Sequence, residues 1–328
     1  MALQASDIET ELGRWRLERG CEMEGDTVRG RLVGNPDGPL VVVLGGISAT
    51  RFVAEDPGGR NGRGWWSRLV RPGGPVDLNR VRVLGLDFGP NVGAQSCPET
   101  ITTMDQATRL KALIDDHGLG PVTALIGSSY GGMCGLAFAQ SYPDAIGALC
   151  VIGAAHRPWP IGVGWRGIQR RVVRLGLDAG RPEAGLKLAR ELAMTTYRTA
   201  EEFADRFDLE ETATAPASFD ICDYLGSRGD RFAETMDAQR FLALSESIDL
   251  HRIEPESITT PTLITGAISD QLAPLPTLRE LRDRLSGESE LYTFTSLYGH
   301  DAFLKEYDQM TPRLARFVDE ALADTGAV

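Results

Sequence analysis

Pro121-Val122-Thr123-Ala124-Leu125-Ile126-Gly127-Ser128-Ser129-Tyr130-Gly131-Gly132-Met133-Cys134-Gly135-Leu136 is the stretch on which the fold turns. It opens as an apolar, partly β-branched strand and continues as an apolar helical pattern. Between the two lies Gly127-Ser128-Ser129-Tyr130-Gly131, a G-x-S-x-G pentapeptide. Strand, sharp turn and helix in that order are the context of a nucleophile elbow, which lifts a serine hydroxyl off the end of a sheet and points a helix N-terminus at its substrate. Gly127, Gly131 and Gly132 let backbone segments pass close together. The competing reading is a glycine-rich turn that serves only strand–helix packing.

The flanking sequence repeats the same rhythm. Leu40 to Leu44 is a short apolar run ending in Gly45-Gly46, a buried strand feeding a tight loop. Arg51 to Asn79, rich in Gly, Pro and Arg, reads as a long loop anchored by Trp65 and Trp66. Val81 to Asp87 is a strand, and Ile101 to His117 has helical spacing of its apolar residues. The Val122–Ile126 strand, the Gly132–Ser141 helix and the Ile146–Ile152 strand follow. Strands alternating with helices over short connections imply a parallel sheet with helices on both faces. From Pro158 to about Arg252 strand character is lost, and helices are expected over Trp165–Leu177, Pro182–Tyr197, Ala200–Phe207 and Arg231–Leu250. We read this as a helical cap, residues 158–252, inserted between core segments 1–157 and 253–328. Strands resume at Thr262–Thr265 and Glu290–Phe294, and Thr311-Pro312 is read as the start of a terminal helix. Ahead of the first core strand, Trp15–Met23 and Thr27–Val33 read as a hairpin.

A serine hydroxyl is a weak nucleophile until a base takes its proton and a carboxylate orients the base. Four histidines are present. His300 lies just beyond the last strand, where an α/β-hydrolase fold presents its base. His117 sits at a helix end that suits a cation, His156 follows a strand and is an alternative base, and His251 ends a cap helix. Asp270 falls in the loop after the Thr262–Thr265 strand and is the expected carboxylate; capping of the next turn is its competing role. The chain order Ser129, Asp270, His300 is that of the α/β-hydrolase fold. Two N–H donors should meet a developing oxyanion: the backbone of Tyr130, and that of Gly46, with Ile47 as its neighbouring alternative.

Composition narrows the remaining classes. The 328 residues carry a formal net charge of −12, which disfavours nucleic acid as a partner but leaves room for an anionic substrate at a local arginine cluster. Five scattered cysteines (Cys21, Cys97, Cys134, Cys150, Cys222) show no C-x-x-C or zinc spacing and read as reduced, buried or semi-buried thiols of a cytoplasmic protein. The N-terminus lacks a signal-peptide pattern. No segment approaches the roughly 18 apolar residues of a membrane span. No metal site, phosphate loop or dinucleotide fingerprint is expected.

Taken together, the motifs resemble the homoserine O-acyltransferases of the α/β-hydrolase fold (the MetX type). Gly127–Cys134 resembles that family's G-G-S-M-G-G-M-Q segment, with Tyr130 at the place of the Met. Tyr298-Gly299-His300-Asp301-Ala302-Phe303-Leu304 resembles its histidine segment closely. Gly64-Trp65-Trp66, Ile168-Gln169-Arg170 and Thr196-Tyr197-Arg198 resemble further segments. Leu44-Gly45-Gly46-Ile47-Ser48 replaces the family's H-A-L-T-G, and no D-P-x-W-x-x-G-x-Y stretch occurs between Arg171 and Pro182. The resemblance implies an acetyl or succinyl group carried from acyl-CoA, a co-substrate rather than a bound cofactor, through Ser129 to the hydroxyl of L-homoserine. L-Serine as the acceptor and simple ester hydrolysis are the alternatives. It implies that Arg170 binds the acceptor carboxylate and Asp301 its ammonium, against the plainer readings of a solvated arginine and a helix N-cap. It also implies a homodimer formed through the cap helices.

Overall fold

The computed structural model describes residues 4–55, 64–90, 100–214 and 216–324. Its eight-stranded sheet comprises β1 (Gln4–Glu11), β2 (Thr27–Gly34), β3 (Leu40–Leu44), β4 (Arg82–Leu86), β5 (Val122–Ser128), β6 (Ile146–Ile152), β7 (Thr262–Ala267) and β8 (Ser289–Phe294). The spatial order is β1-β2-β4-β3-β5-β6-β7-β8. β2 is antiparallel to both β1 and β4; all other neighbours are parallel. β3 shows why the central strands read as continuous apolar runs. Leu40, Val42 and Leu44 enter the core on one face, and Val41 and Val43 the core on the other. Side chains alternate, and both faces are covered.

Helices α1 (Thr103–Asp116), α2 (Tyr130–Ser141) and α8 (Leu275–Arg284) build the first of these cores. α9 (Tyr307–Asp324) and the segment around Trp66 build the second. Between β6 and β7 lie α3 (Pro160–Asp178), α4 (Pro182–Tyr197), α5 (Ala200–Arg206), α6 (Asp220–Ala233) and α7 (Ala238–Leu250), where the sequence led us to expect inserted helices. The tryptophan pair anchors its loop as expected. The two rings stack 5.4 Å apart, Trp66 is fully buried, and its Nε1 donates to the Phe303 carbonyl. Residues 56–63 of the long loop and Cys97 lie outside the described residues. Cys134 and Cys150 are buried, whereas Cys21 and Cys222 are exposed, contrary to the expectation of buried or semi-buried thiols. No helix among the described residues is long and apolar enough to cross a membrane.

Three local expectations are corrected. The hairpin is not Trp15–Met23 with Thr27–Val33. Arg14–Arg16 pairs instead with Glu22–Glu24, and β2 pairs with β1. β1 has no apolar period because it is an edge strand with one buried residue, Thr10, so its place is set by main-chain bonds. The expected helix over 231–250 is two helices, because Asp237 caps α7 by accepting the Arg240 N–H at 2.9 Å. A two-stranded turn, Glu211–Thr214 with Ala217–Phe219, precedes them. The terminal helix starts at Tyr307 rather than at Thr311 and carries Pro312 inside it. The missing N–H falls near its start, where one lost bond leaves most of the helix intact.

One buried ion pair ties the antiparallel edge to the rest. Arg109 on α1 and Asp26, just before β2, are both fully buried and joined by two hydrogen bonds of 2.7 and 3.0 Å. Removing one partner strands a charge in the core, whereas removing both with apolar replacements relieves it. Arg109→Met is expected to lower unfolding stability by about 3–5 kcal/mol, and Asp26→Leu added to it to recover most of the loss. Urea unfolding of the three proteins checks this, and equal stability of single and double variants would contradict it.

Candidate active site

β5 ends at Ser128 and α2 begins at Tyr130, leaving Ser129 alone on the turn at φ 53° and ψ −119°. A positive φ costs a residue with a Cβ on the order of 1–3 kcal/mol and survives only where its surroundings over-determine it. The surroundings do so here. The Ser129 N–H donates to the Ile152 carbonyl at 2.8 Å, the Gly131 N–H donates to the Gly45 carbonyl at 2.8 Å, and the Ser129 carbonyl accepts from Gly132 and Met133. A Cβ on Gly127 would stand 2.3 Å from the Gly131 carbonyl oxygen, and one on Gly131 would stand 2.4 Å from that of Leu44. The two glycines of the pentapeptide are thus demanded by backbone contact.

Three separate loops then meet. The Ser129 hydroxyl lies 2.7 Å from His300 Nε2, and His300 Nδ1 lies 2.7 Å from Asp270 Oδ2. Asp270 is 3% exposed, and its other oxygen accepts the N–H groups of Leu272 and Ala273. With Asp270 ionised, Nδ1 carries the proton, leaving Nε2 to accept from Ser129. Gly153, directly after β6, adjoins the relay at φ 59°, a backbone conformation that favours glycine; a Cβ there would make only ordinary contact with Asp270 Oδ2 at 3.4 Å and His300 Cε1 at 3.6 Å. The other histidines are elsewhere. His117 contacts the Glu9 carbonyl, His251 is locked between Thr103 and the Ala155 carbonyl, and His156 faces Glu280.

Tyr130 occupies the first position of α2, where a helix N–H has no acceptor in its own helix. Gly46 and Ile47 line the same cavity, with open space beside Gly46. The Tyr130 ring packs edge-on against Phe88, and its hydroxyl meets Ser247 Oγ of α7 at 2.7 Å. The ring is buried, so Tyr130 offers the cavity its backbone and ties the elbow to the cap helices.

Asp301 lines the cavity, as the sequence led us to expect, and Arg198 Nε holds it at 3.2 Å. Arg170 does not. Its guanidinium donates to the carbonyl and hydroxyl of Ser245, a lining residue, and pairs with Asp249 at 2.7 Å, without lining the cavity itself. The cavity-lining arginine of α3 is Arg166, one turn earlier, which pairs with the same Asp249 at 2.6 Å. A run of arginines at 166, 170, 171 and 174 does not say which one the opposing α7 carboxylate leaves facing inward. The sequence reading also missed Arg157 and Arg190, which line the cavity as well. It missed the grip of the α4–α5 corner on the histidine loop, where the Thr199 hydroxyl donates to the Leu297 carbonyl at 2.6 Å.

Comparison with known proteins gives concordant results. Residues 39–307 match the family model described as alpha/beta hydrolase fold. A homoserine O-succinyltransferase from Xanthomonas campestris pv. campestris is 38% identical over 91% of this chain and 79% of its own length. A serine O-succinyltransferase from Litchfieldella anticariensis is 28% identical over 93% of this chain and 96% of its own. Among solved structures, the L374D mutant of esterase E22 superposes with a TM-score of 0.86 at 19% identity, covering 96% of this chain and 99% of that one.

Burial disfavours a charged His300. The Asp270 charge and hydrogen bond, with Asp301 beyond, outweigh burial, Arg166 opposes them, and the imidazole is raised above its ordinary value of 6.5. Neutral Nε2 is the form that accepts the serine proton, so reaction falls away as pH drops through this raised pKa. The acid limb for acylation by p-nitrophenyl acetate is therefore expected above pH 6.5. Asp301→Asn removes a charge that raises the pKa and moves the limb to lower pH. Arg166→Met removes one that lowers it and moves the limb to higher pH. The p-nitrophenol burst against pH reads both, and shifts of the same sign would contradict the assignment.

Proposed function

The chain belongs to the homoserine O-acyltransferase family of the alpha/beta hydrolase fold, and on that footing we propose that it moves an acetyl or succinyl group from acyl-CoA to the hydroxyl of L-homoserine through an ester on Ser129, serving methionine biosynthesis in the cytoplasm. His300 takes the Ser129 proton as the oxygen attacks the thioester carbonyl. The N–H groups of Tyr130 and Gly46 receive the oxyanion, each worth about 3 kcal/mol in the transition state. His300 then protonates the departing thiolate. In the second half it deprotonates the acceptor hydroxyl, which attacks the ester in the same pocket. No bound cofactor enters this scheme.

The observation that carries this reading is that the cavity holding the relay also holds Asp301 and Arg166, both within electrostatic reach of His300. A carboxylate and a guanidinium beside the base suit the ammonium and carboxylate of an amino acid whose hydroxyl must reach Nε2. Ester hydrolysis needs neither. We assign the acceptor carboxylate to Arg166, with Arg170 as the residue that shares Asp249 and steadies it. Helices α3–α7 act as the cap that keeps water from the ester. The outer side of α3 supports the homodimer. Ile161, Ile168 and Leu175, spaced seven apart, are 49%, 43% and 68% exposed, an apolar seam of the kind a second copy covers.

CoA release from acetyl- and succinyl-CoA, each with homoserine, serine or no acceptor, tests the reaction. Dependence on homoserine is expected, faster release with serine would transfer the assignment to that acceptor, and release independent of any amino acid would make the protein an esterase. Arg166→Met is expected to raise the homoserine KM at least tenfold, and Arg170→Met to raise it less; the reverse order would restore Arg170 to the carboxylate. Leu175→Glu is expected to convert a dimer into a monomer in light scattering, and a wild-type monomer would remove the dimer.

A further inference from the structure

One face of α3 lines the cavity. Gly162, Trp165, Arg166 and Gln169 follow one another at helical spacing, and all four border it. Several polar side chains around that cavity are already engaged. Arg157 pairs with Glu280 at 2.9 Å, Arg166 with Asp249, and Asp301 with Arg198. The Thr196 hydroxyl donates to the Ala193 carbonyl, and the Ser245 hydroxyl accepts from Arg170. Gln169 differs from these. The residue is only 4% exposed, yet its carboxamide makes no hydrogen bond to another described residue. Its amide atoms are not among the sealed, unpartnered polar atoms of the interior, so they open on the cavity. Buried polar side chains are paired as a rule. An open carboxamide in a cavity wall therefore marks where a polar group of a ligand belongs.

We propose that Gln169 is a specificity residue for the carrier of the acyl group, its carboxamide pairing with the amide nearest the sulfur in the pantetheine arm of acyl-CoA. This rests on the acyl-transfer reading above and names the part of the donor that the same site recognises. A carboxamide donates through its NH2 and accepts through its oxygen. A second amide uses both, whereas a carboxylate only accepts and an ammonium only donates. The acceptor amino acid has no amide, and its charges are matched by Arg166 and Asp301. The cavity, about 190 Å³, is smaller than sites that enclose a whole drug-sized ligand. The nucleotide of a CoA ester therefore stays outside, and the narrow amide-bearing arm is what enters. In that arm two methylene groups separate sulfur from the amide nitrogen, which stands about 5 Å from the thioester carbon. Gln169 lies one turn beyond Arg166, about 4.5 Å along the helix, and Arg166 is within electrostatic reach of His300. The two spans match in scale, as an amide held by Gln169 and a thioester carbon held at Ser129 require.

The test compares acetyl thioesters of two small thiols beside acetyl-CoA. N-acetylcysteamine keeps the amide, and 2-acetoxyethanethiol has an ester oxygen in place of its N–H. With homoserine saturating, wild-type enzyme is expected to use the amide-bearing thioester with a kcat/KM roughly tenfold higher. Gln169→Met keeps the length of the side chain and removes its polar atoms. It is expected to lower kcat/KM roughly tenfold for acetyl-CoA and for the N-acetylcysteamine ester, and to erase most of the preference for the amide. A wild-type enzyme that takes the two small thioesters equally overturns the proposal without reference to any variant. So does a variant that slows both equally and keeps the preference, or an effect confined to the homoserine KM. An effect seen with succinyl thioesters alone also overturns it, assigning Gln169 to the far carboxylate of the acyl group. Thioester turnover that survives Ser129→Ala would overturn the underlying acyl-enzyme reading instead, so the two failures are distinct.

Discussion

The contact of three backbone segments at the end of β5 is the constraint on which the site depends. β3 runs into Gly45, α2 starts under it, and Gly127 and Gly131 permit an approach that any Cβ would block. Ser129 is thereby left in a left-handed conformation that a serine in open chain would abandon. The same contact bears on the proposed oxyanion donors, because Tyr130 and the Gly46–Ile47 turn both line the cavity. The proposed nucleophile and oxyanion site are thus consequences of one packing event. His300 and Asp270 come from loops after β8 and β7, and the parallel sheet brings those strand ends to the same edge.

Charge is divided over the cavity with little left to chance. Asp270 is buried and spent on His300, while Asp301 is held by Arg198 at the cavity wall. Asp249 gathers Arg166 and Arg170, and Arg190 is left to the rings of Tyr197 and Phe232. A superposition of 0.86 on an esterase shows that the scaffold alone does not choose between water and an amino acid as the second nucleophile. We place that choice in these side chains and in the helices above them.

How much could be read from the chain follows from how local each feature is. The elbow was legible because strand, turn and helix are contiguous in residues 121–136. Asp270 and His300 were legible because a triad fixes which strand ends must carry them. Tyr298–Leu304 was legible as a string. β1 was not, since Gln4–Glu11 is polar and is placed by main-chain pairing. The break at Asp237 turned on a single side-chain cap within an unbroken apolar pattern. That Arg166 rather than Arg170 lines the cavity was not legible, for a tertiary reason: both sit on α3 one turn apart, both pair with Asp249 of α7, and only the packing of α3 against the cavity tells them apart. Arg190 was not legible, because its place at the cavity and on the rings of Tyr197 and Phe232 is set by tertiary packing.

The proposed chemistry stands or falls on whether Ser129 carries the acyl group and surrenders it to an amino acid rather than to water. Intact-protein mass spectrometry of enzyme mixed with succinyl-CoA, followed by a chase with homoserine, reads both halves. The expected result is a mass gain of one acyl group, located by peptide mapping to Ser129, absent from Ser129→Ala, and discharged by homoserine much faster than by buffer. An unmodified Ser129, or an adduct that buffer removes as fast as homoserine does, would contradict it.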